Sequence, residues 1–123
     1  MKPEVVGHPI TEATSATMRK MLYDVVNAEG TFHPGRPRLY MAGGKSGTAN
    51  VPIPNGYDDR QIASFIGFAP ADNPKILILV KLDENQDLMT GTQAASPIFS
   101  KLADDMLSYL GVRPDAAKYV GAR

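Results

Sequence analysis

Two apolar runs joined by a short, proline-bounded connection are the feature that most constrains how this chain folds. Over residues 61–69, strand alternation puts Ile62, Ser64, Ile66 and Phe68 on one face and Ala63, Phe65, Gly67 and Ala69 on the other. Both faces read as buried. Pro70 to Pro74, with Asp72-Asn73 between, makes a tight connection into a second strand running from Lys75 to Asp83. Its uninterrupted Ile76-Leu77-Ile78-Leu79-Val80 is the pattern of a strand covered on both faces. A connection this short makes the two strands an antiparallel hairpin, which needs cover on its faces and backbone partners at its edges.

Two amphipathic segments supply cover. Met18, Met21, Leu22 and Val25 recur at helical spacing and predict a helix over residues 12–28, with Thr11 as N-cap and Gly30 as the left-handed residue beyond its end. Met18 and Met21 read as core-filling side chains. Ser96-Pro97 offers a capping hydroxyl and a first-turn proline, so a second helix is expected to start there. Ile98, Phe99, Leu102, Ala103, Met106, Leu107 and Leu110 follow at i, i+3, i+4 spacing, and Gly111 closes it. Burying its large side chains contributes on the order of 10 kcal/mol before conformational entropy is subtracted, so this helix must dock on the sheet. Residues 1–10 read as an extended lead-in and residues 112–123 as a loosely held tail.

A third strand is expected over residues 38–50, after a loop at 31–37, with Val51 to Gly56 ending its pairing. The expected fold is α+β: a three-stranded antiparallel sheet in sequence order with the N-terminal and C-terminal helices packed on it. With 123 residues, 43% of them hydrophobic and 21% charged, the chain is one globular domain's worth of sequence.

Thirteen basic residues balance thirteen acidic ones, so no global charge favours nucleic acid or an anionic membrane. The absence of Cys excludes disulfides and thiolate chemistry. The longest apolar run is far shorter than the ~20 residues of a membrane helix, and Met1-Lys2-Pro3-Glu4 opens no apolar leader, so any export or anchoring signal is expected elsewhere.

The chemistry concentrates in Ala42-Gly43-Gly44-Lys45-Ser46-Gly47-Thr48-Ala49-Asn50. On a strand, Ser46, Thr48 and Asn50 share a face, Lys45 stands beside them, and Gly47 leaves the backbone open to a ligand lying alongside. An extended peptide could pair with such a strand while the ammonium and hydroxyls hold a carboxylate. A glycine-rich edge strand with a solvated lysine is the structural alternative. Gly44-Lys45-Ser46 also matches the end of a phosphate loop, but Leu39 stands where the leading glycine belongs and prolines follow where a helix should begin.

Gly44-Lys45-Ser46-Gly47-Thr48-Ala49-Asn50 resembles the third active-site motif, Lys-Thr/Ser-Gly-Thr, of penicillin-binding protein transpeptidases, particularly the class B enzymes of cell division and elongation. Glu29-Gly30-Thr31 resembles the Gly-Gly-Thr ahead of the motif strand, and Ser64 to Pro70 resembles the family's S-F-x-G-F-x-P strand. Ala95-Ser96-Pro97-Ile98-Phe99 resembles the A-x-P-x-F start of the last helix. These motifs are collinear from about Pro9 to Pro114, so the whole of residues 1–123 is read as the C-terminal part of a transpeptidase domain.

The resemblance implies peptidoglycan cross-linking at the extracytoplasmic face of the bacterial inner membrane, with stem peptides and β-lactams as ligands and no cofactor. Lys45 and Thr48 would be catalytic: Lys45 supports the Ser-x-Asn motif and the substrate carboxylate, and the Thr48 backbone N–H forms half of the oxyanion hole. Ser46, Gly47, Thr48 and Asn50 would be substrate-binding.

The chain departs from the family at the nucleophile. None of Ser15, Ser46, Ser64, Ser96, Ser100 and Ser108 has Lys three residues later, and no Ser-x-Asn occurs. Thr17-Met18-Arg19-Lys20 has the spacing but lies mid-helix with Thr in place of Ser. The chain alone is therefore expected to be inactive, its partner being the N-terminal part of such a domain; a non-catalytic peptide- or carboxylate-binding module is the alternative. His8 and His33 read as solvated loop residues without metal-ligand spacing, Asp58-Asp59 and Asp104-Asp105 as solvated faces, and Tyr40 as an ordinary strand aromatic. The outer edge of residues 75–83 should lack a partner, so self-association through it is expected, by dimerisation, by swapping of the N-terminal segment or by aggregation.

Overall fold

The computed structural model describes residues 4–30, 32–85 and 89–115. Met1 to Pro3, Thr31, the 86–88 stretch and the tail beyond Asp115 lie outside the described residues, so the lead-in's first residues, Thr31 of the expected Glu29-Gly30-Thr31 motif and most of the tail are among them. The element order is α1 (Glu12–Asn27), β1 (Gly43–Ile53), β2 (Gly56–Ala69), β3 (Ile76–Asn85) and α2 (Gly91–Tyr109). The strands form one antiparallel sheet in the order β1-β2-β3. The α+β expectation holds.

The face carrying Ala63, Phe65, Gly67 and Ala69 is closed by α2. Phe99 sits 5.0 Å from Phe65, ring centre to ring centre. A Cβ on Gly67 would stand 2.5 Å from the Phe99 ring, so only glycine lets that ring reach the sheet. Phe65, Phe99, Ala103 and Leu107 are fully buried, with Val80 nearly so. Each large apolar side chain buried this way stabilises the fold by about 1.5–3 kcal/mol gross. On the opposite face α1 lies against β1: a Cβ on Gly43 would meet the Phe68 ring and the backbone nitrogen of Tyr23.

The first helix begins as expected, with the Thr11 side chain accepting from the Thr14 N–H, but Met18 and Met21 are exposed rather than core-filling. Its one fully buried residue is Val26. The apolar run of β3 is covered on one face only: Leu77 and Leu79 remain 69% and 63% exposed, because α2 covers the other face and α1 reaches no further than β1 and Phe68. Among the described residues no strand pairs with the outer edge of β3.

β1 starts later than residue 38 because the backbone before it is held by side chains instead of a ladder. The Asp104 carboxylate accepts from the N–H groups of Arg38 (2.7 Å) and Leu39 (2.9 Å), and the Asp115 carboxylate accepts from that of Met41. Asp104 is thus a structural acceptor and not part of a solvated face. Tyr40 is a fully buried residue ahead of the strand whose hydroxyl donates to the Val112 carbonyl at 2.7 Å. That bond, with Asp115 N–H to Leu39 O at 3.0 Å, ties residues 112–115 down, contrary to the loose tail expected there. β1 also runs on past Asn50: after a register shift, Pro52 faces Tyr57 and Ile53 faces Gly56, so the prolines do not end the pairing.

The second helix begins five residues before Ser96. Thr90 is its N-cap, in a capping box with Gln93, and Pro97 lies inside the helix. Ser96 is buried, its hydroxyl donating back to the Thr92 carbonyl. Gly111 has the positive φ of 69° that a helix-ending glycine supplies.

Candidate active site

Among the described residues β1 forms one edge of the sheet, so half of its backbone groups face away from β2, toward where an added strand would lie. Lys45 to Thr48 lie on this edge, opposite Ile66 to Ala63. Lys45 is exposed and its Nζ donates to the Ser46 carbonyl at 2.8 Å, with the Ser46 Oγ at 3.4 Å. A cation and a hydroxyl thus converge at the strand edge, the pairing that receives a carboxylate. Ser46 and Gly47 are half-buried, whereas Thr48 and Asn50 are exposed. Asn50 faces Gln61, whose Oε1 is buried without a hydrogen-bond partner among the described residues. Lys45, Ser46, Gly47 and Thr48 are brought together; Asn50 sits two residues further along the same strand.

The start of α2 braces the motif from behind. The Gly91 N–H donates to Thr48 Oγ1 at 3.1 Å, which fixes the hydroxyl's acceptor side and leaves its own hydrogen to donate. A Cβ on Gly91 would lie 2.2 Å from the Ser64 carbonyl oxygen and 2.3 Å from that of Gly47, so the helix is pressed against the ladder at the Gly47–Ser64 pair. The Ser64 hydroxyl leans over the same pair, 3.5 Å from Gly47 O. The sequence reasoning missed Gly91. The signal was present in Thr90-x-x-Gln93, a capping box six residues before Ser96.

His33 is half-buried rather than a solvated loop residue. Its ring packs 5.8 Å from that of Phe65, and its Nδ1 accepts from the Gly35 N–H at 3.0 Å. Burial, with the charges of Arg36 and Lys45, holds the imidazole below its ordinary pKa of 6.5. His8 is exposed. Asp58 bonds Arg60 at 2.9 Å, and those hydrogen bonds lower its carboxyl pKa.

This fold and edge motif fit one family. The penicillin binding protein transpeptidase domain matches residues 1–104, and the chain belongs to that family. Stage V sporulation protein D of Bacillus subtilis is 40% identical over 107 residues, which are 85% of this chain and 16% of that protein. The probable peptidoglycan D,D-transpeptidase PenA of Neisseria flavescens is 34% identical over 107 residues, covering 85% of this chain and 27% of its own length. The apo structure of the TP domain from Burkholderia pseudomallei penicillin-binding protein 3 superposes with a TM-score of 0.71 at 40% identity, over 84% of this chain and 32% of that one. The chain therefore spans between about a sixth and a third of the length of these relatives.

Proposed function

We propose that this chain is the C-terminal part of a peptidoglycan D,D-transpeptidase and supplies its substrate- and β-lactam-binding strand, the attacking serine coming from a preceding part of the domain. The observation that carries the reading is the meeting of the Lys45 ammonium with Ser46 on an open strand edge. A stem peptide lies along that edge as an added strand. Its carboxylate takes the Lys45 ammonium and the hydroxyls of Ser46 and Thr48, while the Thr48 backbone N–H donates to the oxygen that becomes negative as the acyl carbon turns tetrahedral. Stabilising that oxygen is commonly the largest part of acyl-transfer catalysis. Gly47 keeps the edge clear of side chains, and Asn50 contacts the peptide further along. The site works at the outer face of the inner membrane, in cell-wall synthesis during division or elongation; no helix among the described residues is long and apolar enough to cross a membrane.

The test is a labelled penicillin followed by mass spectrometry. The chain alone should gain no acyl mass, and mixed with the N-terminal part of the domain it should support acylation on that part only. Acyl mass on this chain would overturn the division of labour. The same exposed cation and hydroxyl on the strand edge also fit a second reading, a carboxylate-binding module without catalysis. Binding of a D-Ala-D-Ala peptide without acylation in the mixture would select it.

A further inference from the structure

The peptide unit joining Gly47 to Thr48 is held from both faces of the sheet. A Cβ built on Gly91 would lie 2.2 Å from the Ser64 carbonyl oxygen and 2.3 Å from that of Gly47. Two carbonyl oxygens that close to one point face each other across the ladder, so Gly47 and Ser64 form a hydrogen-bonded pair. By alternation the N–H and C=O groups of Ser46 and Thr48 point away from β2, to the edge where Lys45 Nζ reaches the Ser46 carbonyl. The 47–48 peptide unit therefore keeps its oxygen inside the sheet and presents its N–H at the edge. On one face the start of α2 presses against it. On the other, where Lys45 and Ile66 lie, Gly47 has no side chain and the half-buried Ser64 hydroxyl stands in the gap. A Cβ on Gly47 would meet Ser64 Oγ at 2.7 Å, and that hydroxyl lies 3.5 Å from the Gly47 oxygen.

We propose that Ser64 is a positioning residue for acyl transfer: its hydroxyl donates to the Gly47 carbonyl and so orients and polarises the Thr48 N–H toward the oxygen that becomes negative. The inference rests on the reading of Thr48 as the oxyanion donor. The two groups are the two ends of one conjugated amide. As charge grows on the substrate oxygen, the Thr48 N–H bonds it more strongly, electron density moves through the amide to the Gly47 oxygen, and that oxygen becomes a better acceptor for Ser64. Hydrogen bonds linked in this way strengthen one another, and those used in catalysis are often long before the ligand is bound. The Ser64 contact is thus worth more in the transition state than in the bound ground state, so it acts on the rate of bond formation and not on affinity.

The experiment uses a complete transpeptidase domain carrying this segment. Stopped-flow kinetics with a fluorescent penicillin resolve the dissociation constant of the first, reversible complex from the rate of the acylation step, and the melting temperature is measured alongside. Ser64→Ala should slow the acylation step about three- to tenfold, with the dissociation constant changed by less than about twofold. Ser64→Thr, which keeps the hydroxyl on a residue suited to a strand, should recover most of the rate. Gly47→Ala should lower the melting temperature, and adding Ser64→Ala should raise it again because the 2.7 Å contact is gone. An unchanged acylation step in Ser64→Ala, a loss carried by the dissociation constant or by unfolding, or a Ser64→Thr variant as slow as Ser64→Ala would overturn the inference and leave the reading of Thr48 standing. No recovery of the melting temperature in the double variant would overturn it too, by placing the hydroxyl elsewhere. A wild-type domain that binds penicillin reversibly and is never acylated would overturn the reading of Thr48, and this inference with it.

Discussion

Substituting Gly91 by Ala tests whether the start of α2 sets the geometry of the motif strand. The added Cβ would stand 2.2 Å from the Ser64 carbonyl oxygen and 2.3 Å from that of Gly47, and both are backbone atoms of a paired position that no rotamer change can relieve. Restoring ordinary van der Waals contact requires the helix start or the strand to move by about 1 Å. Overpacking of this kind costs about 1–3 kcal/mol, and the Gly91 N–H to Thr48 Oγ1 bond, 3.1 Å long, is broken in the process. If the strand is what moves, Gly47 and Thr48 leave their places. A displacement of that size at a reacting group slows chemistry by up to about a hundredfold. The assay is the second-order rate of acylation by a fluorescent penicillin, together with the melting temperature, in a complete transpeptidase domain carrying this segment. Gly7→Ala serves as control, because nothing lies within 4 Å of a Cβ there. Gly91→Ala should lose several degrees of melting temperature and at least tenfold in acylation. A rate and a melting temperature equal to those of the control would refute the argument that α2 braces the motif.

In the same domain, Lys45→Ala should slow acylation by orders of magnitude and leave the melting temperature nearly unchanged, since an exposed lysine adds little stability while a preorganised cation at an acyl-transfer site is worth ~3 kcal/mol; an unchanged rate would make the strand purely structural. Asp104→Ala removes the acceptor for two backbone N–H groups and should cost about 1–3 kcal/mol in urea unfolding, with Asp104→Asn losing less because one oxygen remains; equal stability of both variants to wild type would show water replacing the carboxylate. His33 has a folded-state pKa below its ordinary 6.5, so the stability it contributes is complete above that value and is lost as the pH falls through the folded value. Stability should therefore decline on acidification below neutrality, and His33→Gln should flatten that decline; an identical slope in the variant would place the acid sensitivity elsewhere.

The parts of the fold that were legible in the sequence are those decided by near neighbours. Thr11 and the helical spacing of Leu22 and Val25 define α1 within a few turns, and Pro70 to Pro74 leaves β2 and β3 no arrangement except a hairpin. The meeting of Lys45 with Ser46 follows from their being chain neighbours, the ammonium reaching the next residue's carbonyl and hydroxyl at the strand edge although alternation sends the two side chains to opposite faces. What was misread depends on residues far apart in the chain. Ser96-Pro97 is a good local helix start, and it loses to Thr90 because the first turn of α2 gains the Thr48 contact 43 residues away. Asp104 looked like a solvated carboxylate until the fold brought it to the Arg38 and Leu39 amides, 66 and 65 positions earlier. The apolar run of β3 counted as two-sided cover, yet a run of apolar residues says only that both faces are apolar and does not say which element reaches them.

That half-covered strand also bears on how the site is completed. Lys45 faces Ile66 across β1–β2, and Ile66 faces Leu79 across β2–β3, so the motif lysine ends a row of exposed apolar side chains on the face away from α2. An element carrying a nucleophile to Lys45 along that face would cover Ile66 and Leu79 by the same approach, gaining roughly 25 cal/mol for each Å² of apolar surface removed from water. Association and alignment of the reacting groups are then one event. Leu79→Asp, one strand further from Lys45, should weaken assembly with the N-terminal part of the domain without facing the ammonium proposed to bind the carboxylate, whereas Ser46→Ala should leave assembly intact and weaken the ligand. Pull-down of the two parts and penicillin labelling of the assembled pair separate these outcomes, and equal assembly by the Leu79→Asp variant and the wild type would show that the partner approaches from another side.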